Sequence, residues 1–225
     1  MIAIAARSLT AGYNGLPAVH GIDLEVASGE MVLLAGPNGA GKTTTLMAMS
    51  GAIEPLAGHV EVDGRPTRQK LHERTQDGLG VITEARTVFN HLTTLENLRL
   101  GRGTVEDALA SFPELTSRLR VRAGLLSGGE QQMLSLARVL AARPKVVVVD
   151  ELSFGLAPLI VSRLLRSLRD AANAGTSVLL VEQHVQTCLK IVDRAYFMRL
   201  GKIVKTGPAQ GFAQQSTAEI AELYL

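Results

Sequence analysis

The hydrophobic pattern of the chain changes period several times. Near the start, apolar residues recur at every second position, at Ile2 and Ile4 and again at Ile22, Leu24 and Val26. A period of two predicts half-buried strands, with turns expected at Gly12, Gly15 and Gly29. Met31–Ala35 is continuously apolar, the pattern of a strand buried on both faces. Lys42–Ser50 has helical character. Gly58–Gly64 reads as a short strand ending in an Asp-Gly turn, with His59 on its solvated face, and Gly80–Ile82 as another strand.

From Thr93 to Arg143 the pattern turns helical. Thr93 and Glu96 have capping-box spacing and open a helix from Leu95 to Leu100. Val105–Phe112 predicts a second short helix, stopped by Pro113. A third runs from the Leu126–Gln132 stretch to Arg143, with Met133, Leu136, Ala137 and Leu140 apolar and Pro144 closing it. Lys145–Glu151 then places four valines before two acids, which predicts the centre of a parallel sheet. Leu159–Ala174 is amphipathic: Leu164, Leu165 and Leu168 are expected inside, and Arg163, Arg166 and Arg169 in water. Ser177–Val181 is a second buried strand, Val185–Ile191 a short helix, and Ala195–Arg199 with Lys202–Thr206 a hairpin. Ser216 and Glu219 are spaced to cap a last helix.

Strands alternating with helices predict an α/β fold with a mainly parallel sheet, N-terminal antiparallel strands and a small helical subdomain. The expected division is 1–90 (first part of the core), 91–143 (helical subdomain) and 144–225 (second part of the core). The 225 residues are 46% hydrophobic, enough for a substantial core. A net charge of +2 with interspersed signs gives no basic face of the kind nucleic-acid binders show. The cluster Arg118, Arg120 and Arg122 is short and is expected to be solvated. Cys188 is the single cysteine, so neither a disulfide framework nor a thiolate cage is expected. No apolar run approaches the roughly 20 residues needed to cross a bilayer. Met1–Arg7 lacks the pattern of a secretory leader, so a cytoplasmic location is expected.

Against this background one stretch carries chemistry. Gly36, Pro37, Asn38, Gly39, Ala40, Gly41, Lys42, Thr43 and Thr44 fit Gly-x-x-x-x-Gly-Lys-Thr. Its glycines let backbone N–H groups approach an anion, Lys42 can reach β/γ-phosphates, and the Thr43 hydroxyl is placed to hold Mg²⁺. An apolar strand before it and a helix after it are the context that the motif needs. Asp150 and Glu151 end a buried strand, where ligands bind in open α/β sheets. Asp150 suits Mg²⁺, and Glu151 suits the orientation of a water on the γ-phosphate. Ser127 and Glu130 have capping-box spacing, which explains the Leu126, Ser127, Gly128, Gly129, Glu130, Gln131 stretch as a helix start. A glycine-rich helix N-terminus is equally an anion site.

Gly36–Thr44, Leu126–Gln132 and Val146–Glu151, in that order, resemble the ATP-binding subunits of ABC transporters. The resemblance covers nearly the whole chain and implies a P-loop NTPase core that binds ATP and Mg²⁺ and hydrolyses ATP. It implies that Leu126–Gln131 act in trans on ATP held by a second ATPase subunit, in a homo- or heterodimer with two sandwiched nucleotides. It gives Tyr13 the place of the aromatic that stacks on adenine. Ser153–Val161, Leu180–Gln183, Asp193–Tyr196 and Ala221–Leu225 look most like the ATPases of branched-chain amino acid importers, with urea and short-amide importers close by. That implies membrane permeases, an external solute-binding protein reached through them, and a peripheral position on the inner face of the cell membrane.

Some positions depart from the family pattern. Glu84 stands where a Gln usually senses Mg²⁺ and the permease; it is either a metal-facing group or an exposed acid. Gln183 and His184 compete for the position of the switch histidine, Gln183 by its spacing from Asp193. Leu152 replaces a frequent proline. The helical region is short, with Phe89, Leu92 and the helices up to Phe112 expected to form the permease groove. Two other readings remain: a soluble ABC ATPase acting on nucleic acid or ribosomes, and a low-turnover regulatory subunit.

Overall fold

The computed structural model describes residues 1–83, 87–153, 155–182, 184–215 and 217–222. In chain order the strands are β1 (Ile2–Tyr13), β2 (Leu16–Ala27), β3 (Met31–Ala35), β4 (Ala57–Val62), β5 (Arg65–Thr67), β6 (Leu79–Ile82), β7 (Val146–Asp150), β8 (Ser177–Glu182), β9 (Arg194–Arg199) and β10 (Lys202–Pro208). The helices are α1 (Lys42–Ser50), α2 (Leu71–Gln76), α3 (Thr94–Arg99), α4 (Val105–Ser111), α5 (Gly128–Leu140), α6 (Pro158–Asn173), α7 (Val185–Cys188), α8 (Ala209–Ala213) and α9 (Thr217–Glu222). One sheet has the order β2-β1-β4-β5 and is antiparallel. The other has the order β10-β9-β3-β8-β7-β6, parallel except for the hairpin β9-β10.

Strands β3, β7 and β8 are buried along their whole length. Because side chains alternate across a strand, these apolar runs feed two separate cores. Leu33, Val147, Val149 and Leu180 point into one core, shared with α5 and α6. Val32, Leu34, Val148 and Val181 point into the other, shared with α1 and the antiparallel sheet. The parallel sheet is thus a partition with α1 on one face and α5 on the other. Among the described residues no helix is long and apolar enough to cross a membrane.

Three hairpins close on two-residue turns with both central φ values positive: Asn14 and Gly15 (52° and 78°), Asp63 and Gly64 (51° and 73°), Leu200 and Gly201 (46° and 76°). This backbone twist matches that of the flanking strands. Gly12 marks no turn; it lies within β1, where an added Cβ would stand 1.9 Å from the Leu16 carbonyl oxygen. Its role is close strand approach at the hairpin neck. Two arginines of α6 also depart from expectation. Arg163 donates to Glu114 at 2.7 Å and lies 4.7 Å from the Phe112 ring centroid, and Arg169 donates to Asp193 at 2.8 Å. Facing elements recruit both guanidinium groups, so only Arg166 of the three is exposed. The helix expected over 185–191 ends at Cys188, whose thiol burial pushes well above its ordinary range. The Ser216 cap lies outside the described residues.

Candidate functional site

The phosphate-loop sequence connects β3 to α1, as its flanks predict. Gly41 stands at the N-cap of α1 with φ 102°, where an added Cβ would also meet the Ala18 carbonyl oxygen at 2.9 Å. No side chain caps this helix and its first turn holds no acid, so the N-terminal end is left to an anion. The Lys42 ammonium, buried, donates to the carbonyls of Gly36 (2.9 Å) and Pro37 (3.0 Å) of its own loop. Burial pushes its pKa down, against the opposing charges of Glu151, Asp150 and Glu182. Thr43, Asn38 and Gly39 are exposed, and Thr44 is buried. The Thr45 hydroxyl donates to the Gly41 carbonyl at 2.9 Å and ties the first turn to the loop.

Asp150 and Glu151 arrive at the same end of the sheet. Asp150 closes β7, buried, in register with Val181 of β8. Glu151 follows in a left-handed conformation, φ 46°, and its N–H donates to the Val181 carbonyl at 3.0 Å. Leu152, the residue in place of proline, is fully buried in the core beneath. A proline would supply rigidity at this point; here an apolar anchor holds the turn. The exposed Thr43 hydroxyl and the carboxylate of Asp150 are hard oxygen donors. That donor set fits Mg²⁺, which takes few protein ligands and completes its octahedron with water and phosphate oxygens.

The signature stretch begins α5 through the predicted capping box. Ser127 Oγ accepts from the Glu130 N–H at 3.3 Å, and Glu130 accepts from the Ser127 N–H at 2.8 Å. Arg118 donates to the other Glu130 oxygen at 2.7 Å, so this member of the basic cluster is paired. The Arg118 hydrogen bond, followed by that of the Ser127 backbone, holds the Glu130 carboxyl below its usual range. Ser127 is exposed, Leu126 and Gly129 are buried, and Gln131 donates to the Ala123 carbonyl at 2.9 Å. The fold does not bring this stretch to the phosphate loop of the same chain. Helix α5 packs into the core on one face of the sheet and α1 into the core on the other.

Tyr13 ends β1 and is 51% exposed. Its hairpin reaches the loop through β2, where the His20 N–H donates to the Gly201 carbonyl (2.8 Å) and the Gly201 N–H to the Ala40 carbonyl (2.9 Å). His184 is exposed at the start of α7. Glu84 and Gln183 lie outside the described residues. Phe89 is exposed, with the Arg138 guanidinium 5.8 Å from its ring centroid, and Leu92 is half-buried. Phe112 is fully buried under Arg163 and offers no surface to a groove. Sequence reasoning missed Glu182. It is the last residue of a buried strand, as Asp150 is, and that position was the available signal.

A family profile described as "ABC transporter" matches residues 19–153. The chain is 35% identical to the high-affinity branched-chain amino acid transport ATP-binding protein BraG of Pseudomonas aeruginosa, over 95% of both chains. It is also 35% identical to the lipopolysaccharide export system ATP-binding protein LptB of Acidithiobacillus ferridurans, over 92% of this chain and 90% of that one. Its fold matches a nucleotide-free ATP-binding cassette from an ABC transporter with a TM-score of 0.86 and 22% identity, over 100% of this chain and 99% of that one. The chain belongs to the ABC transporter family, as one of its nucleotide-binding, ATP-hydrolysing subunits.

Proposed function

We propose that this subunit powers an importer for branched-chain amino acids or a related small polar solute, closing head to tail on a second cassette when ATP binds. The observation that carries the closure is the placement of two anion-accepting helix N-termini on opposite faces of one sheet. Within one chain they cannot meet over one nucleotide; between two chains they can. The N–H groups of Gly39, Gly41 and Lys42 hold phosphate, with the Lys42 ammonium exchanging its two loop carbonyls for β/γ oxygens. Tyr13 offers an exposed ring for adenine. Ser127 and Gly129 of the second cassette complete the site.

Thr43 and Asp150 would hold Mg²⁺, which when bound offsets phosphate charge. Glu151 accepts a proton from the attacking water or orients it. Loss of the γ-phosphate removes the anion that both cassettes share, so opening follows hydrolysis. His184, exposed at the start of α7, and its neighbour Gln183 are the candidates for sensing that loss. Glu84 is the candidate for coupling Mg²⁺ to the permease. The exposed Phe89, Leu100 and Leu125 supply an apolar surface for that partner.

Import of branched-chain amino acids draws its support from BraG and from Leu180–Gln183 and Ser153–Val161. The equal identity to LptB favours a second reading, an exporter cassette. Reconstitution of the subunit with its neighbouring permeases separates them. Leucine with its binding protein should raise ATP turnover; stimulation by lipopolysaccharide alone would establish the export reading instead. Glu151→Gln should bind ATP, dimerise and stall, as size-exclusion chromatography with ATP will show; unchanged turnover refutes the role of Glu151.

A further inference from the structure

The Glu182 carboxylate is 1% exposed and closes on Ser153, which is 4% exposed. One oxygen accepts from the Ser153 N–H at 2.8 Å and the other from the Ser153 hydroxyl at 2.6 Å. A buried carboxylate held by two short, well-directed hydrogen bonds is a stiff link, because leaving either donor without its acceptor in the interior is costly. Ser153 lies two residues after Glu151, and the Glu151 N–H is bonded to Val181, the residue before Glu182. The three-residue turn 151–153 is therefore fastened to the end of β8 at both of its ends. Leu152, buried between the two fastenings, fixes its middle.

What this link holds is a strained conformation. Glu151 sits at φ 46°, a left-handed region that a side chain with a Cβ enters only against steric repulsion from its own backbone. Such a conformation persists only where the surroundings over-determine it. Glu182 also stands beside Gln183 and His184 in the chain, and its charge is felt at Lys42. One buried carboxylate thus touches the turn of the candidate base and begins the segment of the candidate sensor.

We propose that Glu182 is a positioning residue for hydrolysis: by clamping Ser153 it holds Glu151 in its left-handed conformation. The inference rests on the reading of Glu151 as the group that acts on water. A displacement of about 1 Å in a group that must meet a reacting atom costs on the order of 100-fold in rate. A neutral amide in place of Glu182 keeps both contacts, since it accepts from the N–H and donates to the hydroxyl oxygen. The link depends on shape and hydrogen bonding rather than on charge.

The test measures ATP turnover and ATP affinity of the full chain assembled with its membrane partner. Glu182→Ala should lower kcat by about 30–100-fold with KM for ATP within about twofold of wild type. Glu182→Gln should recover most of that loss, and Ser153→Ala, which removes one of the two bonds, should fall between. In a Glu151→Gln background, Glu182→Ala should change the residual rate no further, which a general loss of folding would not reproduce. Wild-type kcat in both Glu182→Ala and Ser153→Ala, beside an inactive Glu151→Gln, overturns the positioning role and leaves the Glu151 reading intact. Full turnover in Glu151→Gln overturns both. If Glu182→Ala does not assemble, Ser153→Ala and the Glu182→Gln comparison carry the same decision.

Discussion

Helices α1 and α5 both present glycine-rich N-termini, yet they are finished in opposite ways. The start of α1 has Gly41 at its N-cap, no capping side chain and no acid in the first turn. The start of α5 has a complete capping box, an acid in the first turn and an arginine on that acid. The first end is kept open for a ligand and keeps its cation on its own carbonyls meanwhile. The second is complete without one. The capping bond from the Glu130 N–H to Ser127 Oγ is the longest of the set at 3.3 Å, and the Ser127 side chain is exposed. Under the proposed function the difference implies an order of events: α1 would bind phosphate in a lone chain, and α5 would add to a phosphate already held elsewhere.

The largest expected effect comes from emptying the open end. Lys42→Ala should lower ATP turnover by about 100-fold or more, the scale for removal of one oriented charged donor, and should weaken nucleotide binding to the isolated chain in calorimetry. If binding is undisturbed, the contrast between the two ends is lost. Gly41→Ala acts on the same end through the backbone. At φ 102° and with Ala18 close by, it should destabilise the fold by about 2 kcal/mol in urea unfolding. Ser127→Ala should cost about 1 kcal/mol of stability, the usual value of an N-cap. It should leave ATP affinity of the lone chain unchanged and reduce ATP-driven dimerisation, which light scattering reads directly. Equal loss of both would make the two ends alike.

The smallest effect is the pH response of the capped end. Because Glu130 titrates below its unfolded value, it contributes stability that is present above the unfolded carboxylate range and lost as pH falls through the lowered value. The stability difference between wild type and Glu130→Gln should therefore be constant above about pH 5 and shrink toward pH 3. Thermal melts across that window check it. A difference that grows on acidification contradicts the sign.

The features legible in the sequence are those with local causes. Gly36–Thr44 and the valine run carry their conformations in consecutive residues, and Ser127 with Glu130 states a helix start within four positions. What escaped depends on distance along the chain. Glu182 meets Ser153 across 29 residues, and Arg163 meets Glu114 across 49. Gly12 looked like a turn because glycine has two uses, and only the opposite strand reveals which applies. Helices α2 and α8 and strand β5 span only six, five and three residues, too short for any period to show.

The four valines of β7 have one further consequence. A run of four identical residues marks its own register weakly, since sliding it by one position returns valine to three of its four places. Such a slip would carry Asp150 into the buried place of Val149, or Lys145 into that of Val146, so the charged residues at the two ends of the run are what resist it. The alignment of the acid pair is therefore set at the ends of the valine run. At one end the Lys145 N–H reaches the Gly78 carbonyl at 2.9 Å, and at the other Glu151 is fastened to Val181 at 3.0 Å. The valines supply length and dryness, and the address of each carboxylate is written in the residues that flank them.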